Sequence, residues 1–128
     1  NIRILREEKI LEQVREETAP YLQKRLRELA DHPLVGEVRG VGLLAAVEFV
    51  KSKDPKVPFD EALKLGSRLV NLCRADGLIV RGLNNATAIA FSPPLIITRA
   101  EIDRIVDMFS NAVDRFAKEL KSEGLWVR

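Results

Sequence analysis

Among the residues whose types suit chemistry, Arg81 is the best placed. It ends the apolar run Leu78-Ile79-Val80, and Gly82, Leu83, Asn84 and Asn85 follow it. A guanidinium held at a strand end beside a turn can reach into a cleft and grip a carboxylate through two parallel hydrogen bonds. The same spacing suits an ordinary exposed strand-end arginine, which is the commoner outcome. Other candidates are weaker. His32, the single histidine, stands between Asp31 and Pro33 at a helix end, where capping or surface exposure fits better than general-base work. Cys73, the single cysteine, falls on the apolar face of a helix with no histidine nearby, the setting of a buried structural thiol. Arg39, between Val38 and Gly40, reads as half of a structural ion pair. Gly36, Gly40 and Gly42 resemble a glycine-rich loop, but no Gly-Lys-Ser or Gly-Lys-Thr follows, so a P-loop cradle is not expected. No lysine ends an apolar strand, where burial could strip its proton and make it a nucleophile.

Composition narrows the classes further. One cysteine and one histidine exclude an internal disulfide framework, a multi-cysteine zinc site and a histidine-based metal cluster. Lysines and arginines number 21 against 19 aspartates and glutamates, and this +2 balance does not announce a nucleic-acid partner. With 46% hydrophobic and 31% charged residues, the 128-residue chain has the arithmetic of one globular domain. The longest charge-free stretch, Gly82 to Thr98, contains asparagines and a Pro-Pro pair, so no membrane span is expected. The charged N-terminus holds no secretory h-region, and a cytoplasmic setting is the expectation. The sole methionine is Met108, which points to processing or to a piece of something larger.

The elements that must hold these residues follow from periodicity. Residues 2–30 read as helix, with Leu11, Val14, Tyr21 or Leu22, Leu26 and Leu29 as its apolar stripe. Pro20 should kink or split it, and a looser join near Glu8 to Ile10 is a further option. Val-rich runs on either side of Gly40 and Gly42 predict two strands joined by a tight glycine turn. Lys51 to Pro58 reads as a polar surface loop. Asp60 should cap a helix to about Asp76, with Leu63, Gly66, Val70 and Cys73 on one face and Gly77 as its stop. Leu78 to Arg81 and Thr87 to Phe91 are predicted strands, with a turn over Gly82 to Asn85 between them. Thr98-Arg99-Ala100-Glu101 is a capping box that opens a five-turn helix reaching Leu120. The expected fold is a two-layer α+β domain with a mostly antiparallel sheet of about four short strands covered by helices.

Three segments carry a family resemblance. His32-Pro33-Leu34-Val35-Gly36-Glu37-Val38-Arg39-Gly40-Val41-Gly42-Leu43 closely resembles the entry to the C-terminal small domain of class III aminotransferases, fold type I pyridoxal-phosphate enzymes. Gly77-Leu78-Ile79-Val80-Arg81 and Phe91-Ser92-Pro93-Pro94-Leu95-Ile96-Ile97-Thr98 match later segments of that domain in the right order. The resemblance implies a helical connector over residues 1–30 and the small domain over 31–128. It places the Schiff-base lysine, the phosphate loop and the aspartate for the pyridine nitrogen in a large domain upstream. Cofactor-binding and catalytic residues are therefore not expected here, and the fragment alone should not transaminate. Similarity to the ω-amino acid and amine:pyruvate group matches Arg81 to the loop arginine that holds substrate carboxylates. It further implies a homodimer or tetramer working on an amine or amino acid and a 2-oxo acid. Relatives using glutamate and 2-oxoglutarate usually carry an arginine just before the Phe-x-Pro-Pro segment, where this chain has Ala90. The aminomutase and racemase branches share the motifs. The alternative from another class is a free-standing α+β module that binds a small acidic ligand or dimerises.

Overall fold

Ten consecutive residues, Leu44–Lys53, form β2, the strand on which the sheet is assembled. The computed structural model describes residues 1–83 and 87–127. Strand β1 (Val35–Val41) pairs antiparallel with β2, and the two-residue turn between them uses Gly42 at φ 61°. A glycine first in such a turn is what a tight hairpin of right-handed twist requires. The other edge of β2 takes β5 (Ala88–Phe91), which in turn takes β4 (Arg81–Gly82). The far end of β2 pairs with β3 (Lys56–Pro58). All pairings are antiparallel, as expected for an α+β domain.

One face of the sheet carries the core. Ala45, Val47 and Phe49 of β2 and Ile89 and Phe91 of β5 meet the apolar stripes of three helices. These are α3 (Ala19–Arg27), α4 (Leu65–Ala75) and α5 (Arg99–Ser122). The Phe109 ring meets Phe91 edge-on at 4.8 Å between centroids and Phe49 at 6.2 Å. Helix α5 begins as its capping box predicts: the Thr98 hydroxyl accepts from the Glu101 amide, and the Glu101 carboxylate accepts from the Thr98 amide. Arg25 on α3 donates to Asp103 and Asp107 on α5 at 2.9 and 2.8 Å, while Tyr21 donates to Asp103 at 2.6 Å. Arg68 on α4 grips Glu123 through two nitrogens at 2.8 and 2.6 Å.

Several segments differ from the sequence-based expectation. The first thirty residues are not one kinked helix. Lys9 takes a left-handed conformation (φ 50°) between α1 (Ile2–Glu7) and α2 (Ile10–Gln13), and Val14–Thr18 forms a wider π turn leading into α3. Pro20 sits at the start of α3; it offers no amide and its ring crowds the carbonyl four residues back, which the wider turn relieves. That restart rotates the stripe, so Ile10 is buried and Leu11 is 55% exposed. Lys51 to Pro58 is a hairpin rather than a loop, since β2 runs on to Lys53 and β3 pairs back onto it. Asp60 caps only the single turn Glu61–Leu63, accepting from the Ala62 amide; Lys64 (φ 48°) breaks the chain and α4 buries Leu65, Leu69 and Cys73. Leu63 is exposed, outside that stripe.

The predicted strand Leu78 to Arg81 shrinks to β4. Arg81 lies opposite Ala90, so continuing the ladder would set Leu78 and Ile79 against Pro93 and Ser92. A proline offers no amide to such a ladder, and pairing stops. Of the expected Gly82 to Asn85 turn, Asn84 and Asn85 lie outside the described residues.

His32 ends the helical segment as a half-buried linker. Its Nδ1 accepts from the Leu34 amide, and its Nε2 lies 3.5 Å from Asp114 on α5. Burial pushes its pKa below the ordinary 6.5, assisted by Lys53 and Lys121 and opposed by Asp114. The folded state thus favours the neutral ring. Stability from this group is complete above the unfolded value and is lost as pH falls from about 6.5 through the folded value.

Two measurements check this account. Because the chain has one histidine, its ring-proton NMR titration should show a single midpoint below the free-histidine value; a midpoint above it would mean that the Asp114 contact outweighs burial. Thr98→Ala should lower stability by about 1 kcal/mol in urea unfolding, the usual cost of a lost N-cap.

Candidate functional site

Arg81 is placed by the stop of α4 and by the packing of β4 against that helix. Gly77 (φ 86°) ends α4, its amide bonding to Arg74 and the Leu78 amide reaching back to the Cys73 carbonyl. This closure turns Leu78 into the core and sends the chain towards the sheet. At the next residue of β4, a Cβ on Gly82 would lie 3.4 Å from Val70 and 3.8 Å from the Gly66 carbonyl. The strand thus lies in ordinary van der Waals contact with α4.

The register then aligns four side chains. Arg39 lies opposite Ala46, Ala46 opposite Ala90, and Ala90 opposite Arg81. Directly paired residues share a face. Arg39 and Arg81 therefore flank two alanines on the side of the sheet away from α5. Near its tip that face is open, with Val41 77% and Leu44 60% exposed.

Arg81 stands between two clefts and lines both. One, of about 360 Å3, runs between Leu78–Val80 and Pro93–Pro94, with Leu22 and Ile105 behind. The other, of about 440 Å3, lies over Val41, Leu44, Ala46 and Ala90. Ala90, Phe91 and Ser92 are common to the two. Neither lining contains a carboxylate or a lysine. Arg39 is already neutralised: it bonds to Glu48 at 2.9 Å and to Glu37 at 3.4 Å. Lys56 joins the same group and, with Arg39, holds the Glu48 carboxyl below the usual range. Exposed Arg81 has no ion pair among the described residues, so it is the one charge in the clefts left to meet an anion.

The remaining candidates fall outside the clefts. Cys73 is fully buried on α4, where burial pushes its thiol up to about 11, so it is inert as a nucleophile. His32 lines neither cleft. Among the described residues no group of three metal-ligating side chains comes together, and no helix is long and apolar enough to cross a membrane. Sequence reasoning missed Ala46, Val41 and Leu44 as neighbours of Arg81, since only strand register unites them. It also missed Gln23, whose one signal is a polar residue beside the buried positions Leu22 and Leu26.

Known proteins share both the sequence and the fold of this chain. The family model described as aminotransferase class III matches residues 1–113. The putrescine–pyruvate aminotransferase of Pseudomonas aeruginosa is 50% identical over 117 residues, which cover 91% of this chain and 25% of that protein. The diaminobutyrate–2-oxoglutarate transaminase of Halomonas elongata is 41% identical over 109 residues, covering 84% of this chain and 23% of its own length. An omega-transferase structure from Vibrio fluvialis JS17 superposes with a TM-score of 0.87 at 36% identity, over 94% of this chain and 28% of that one. An omega-aminotransferase from Paracoccus denitrificans gives 0.86 at 37% identity, over 93% and 26%. The chain thus spans about a quarter of the length of the curated relatives it matches. The match runs from the first helix to the middle of α5 and takes in both clefts: this chain belongs to the class III aminotransferase family.

Proposed function

We propose that this chain is the C-terminal small domain of a longer pyridoxal-phosphate-dependent transaminase, entered through a helical connector over residues 1–30. The enzyme moves an amino group from an amine or ω-amino acid to a 2-oxo acid, with pyruvate the favoured acceptor. Arg81 holds the substrate carboxylate. One observation carries this reading: among the described residues, Arg81 is the single uncompensated charge at the meeting of two apolar clefts. A guanidinium there binds a carboxylate through a planar two-point contact. Ala90, opposite Arg81, adds no second cation on that face, which favours a monocarboxylate such as pyruvate over a dicarboxylate. The putrescine–pyruvate relative supports the same acceptor.

When bound, pyridoxal phosphate supplies the electron sink for amino-group transfer. The residues of this chain do not fit it on their own. No lysine lines either cleft; Lys53 donates to the Ala30 carbonyl, Lys56 pairs with Glu48, and Lys121 lies over the Trp126 ring. The cofactor-holding groups therefore belong outside this chain, and the small domain contributes the arginine and the cleft walls.

Two experiments test the reading. In the full-length protein, Arg81→Ala should lower kcat/KM for alanine and pyruvate by about 30- to 1,000-fold, the loss of a charge-assisted clamp worth roughly 2–4 kcal/mol. Single-turnover reaction with a simple arylalkyl amine, which has no carboxylate, should be spared, and Arg81→Lys should restore only part of the loss. Equal losses on amine and alanine would make Arg81 structural. Separately, the isolated chain mixed with pyridoxal phosphate and reduced with borohydride should show no stoichiometric label at any one lysine by mass spectrometry. A single fully labelled lysine would place the cofactor site within this chain after all.

A further inference from the structure

We propose that Gln23 is a positioning residue, which locks the β1–β2 hairpin and thereby sets the wall of the cleft beside Arg81; the proposal rests on the reading of that cleft as the substrate site. Gln23 projects from α3, is 7% exposed, and is one of two buried polar side chains in the chain's described core. Its Nε2 donates to the Gly42 carbonyl at 3.0 Å and to the Leu44 carbonyl at 3.1 Å. Both partners are acceptors on either side of the hairpin turn, so only the amide's NH2 end satisfies them.

The hairpin is shaped to receive this amide. A Cβ on Gly40 would lie 2.5 Å from the Leu44 carbonyl and 2.7 Å from both Gln23 terminal atoms. Glycine at position 40 therefore leaves the space that the Gln23 amide occupies. Of the two bonded residues, Leu44 lines the cleft, and Gly40 and Val41 of the same hairpin line it beside Leu44. From Leu44 the register runs two residues to Ala46, then across Ala90 to Arg81. A hydrogen-bonded helix on one face of the hairpin thus holds the cleft wall on the other. Leu43 of the turn is buried in the core while Val41 and Leu44 beside it are exposed, so the hairpin tip rests on one apolar side chain and on the two Gln23 hydrogen bonds.

The test uses Gln23→Glu in the full-length protein, a change that keeps size and shape but points a carboxylate at two carbonyls. Losing two buried hydrogen bonds should raise amide hydrogen exchange across residues 40–44 by about tenfold, with the middle of α5 unchanged. KM for pyruvate should rise by a similar factor with kcat within about twofold of wild type. The ratio of variant to wild-type KM should fall as pH is lowered, because the protonated acid regains one donor. Gln23→Leu should show the same rise with no pH dependence in that ratio. Unchanged exchange in both variants would overturn the lock. Faster exchange with unchanged KM would overturn the positioning role and leave Gln23 purely structural. A wild-type protein without transaminase activity would overturn the reading of Arg81 instead, and the exchange measurement would still decide whether Gln23 holds the hairpin.

Discussion

The structure depends on the two-faced burial of β2. One face presents Ala45, Val47 and Phe49 to the helices, and Phe109 of α5 bridges Phe49 and Phe91 edge-on. Each aromatic ring removes a large apolar area from water, and edge-to-face contacts add to that burial. Because β2 is bonded to β1, β3 and β5 together, fixing its register fixes every other strand. The opposite face carries Arg39, Ala46 and Glu48, and at its tip Val41 and Leu44 stand open. The fold thus creates a stable floor without covering it, and Arg81 stands on that floor.

Charged contacts do different work at different places. Arg25 with Asp103 and Asp107, and Arg68 with Glu119 and Glu123, tie α3 and α4 to α5. They are half-exposed, so their value is orientation more than stability. On the sheet, Glu37 and Glu48 are direct neighbours, an arrangement that would repel without Arg39 and Lys56 between them. That cluster uses up Arg39 structurally. Arg81, with its face shared by Ala90 and Ala46, meets no such counter-charge among the described residues. The contrast between two arginines on one row is the reason a carboxylate-binding role is proposed for Arg81 and not for Arg39.

Much of the fold was legible along the chain. The capping box at Thr98, the spacing from Ile102 to Leu120, the glycine turn at Gly42 and the stop at Gly77 are local signals read by neighbouring backbone groups. The β2–β3 hairpin was not legible, because its polar residues make a ribbon only when β2 is already held by the sheet behind it. Nor was the short length of β4, which depends on which residues of β5 and beyond lie opposite.

By itself, the sequence determined the glycine turn at Gly42, the stop of α4 at Gly77, the start of α5 at Thr98, the burial of Cys73 and the presence of a strand-end arginine, since each depends on residues within a turn or two of one another. Only the tertiary structure decided which side of the sheet Arg81 occupies, that Arg39 is spent on Glu48, and that the Gln23 amide fills the space beside Gly40. Those outcomes depend on pairs distant in the chain, such as Arg81 with Ala90 and Gln23 with Leu44, whose register is set by packing on a shared core rather than by local backbone preference.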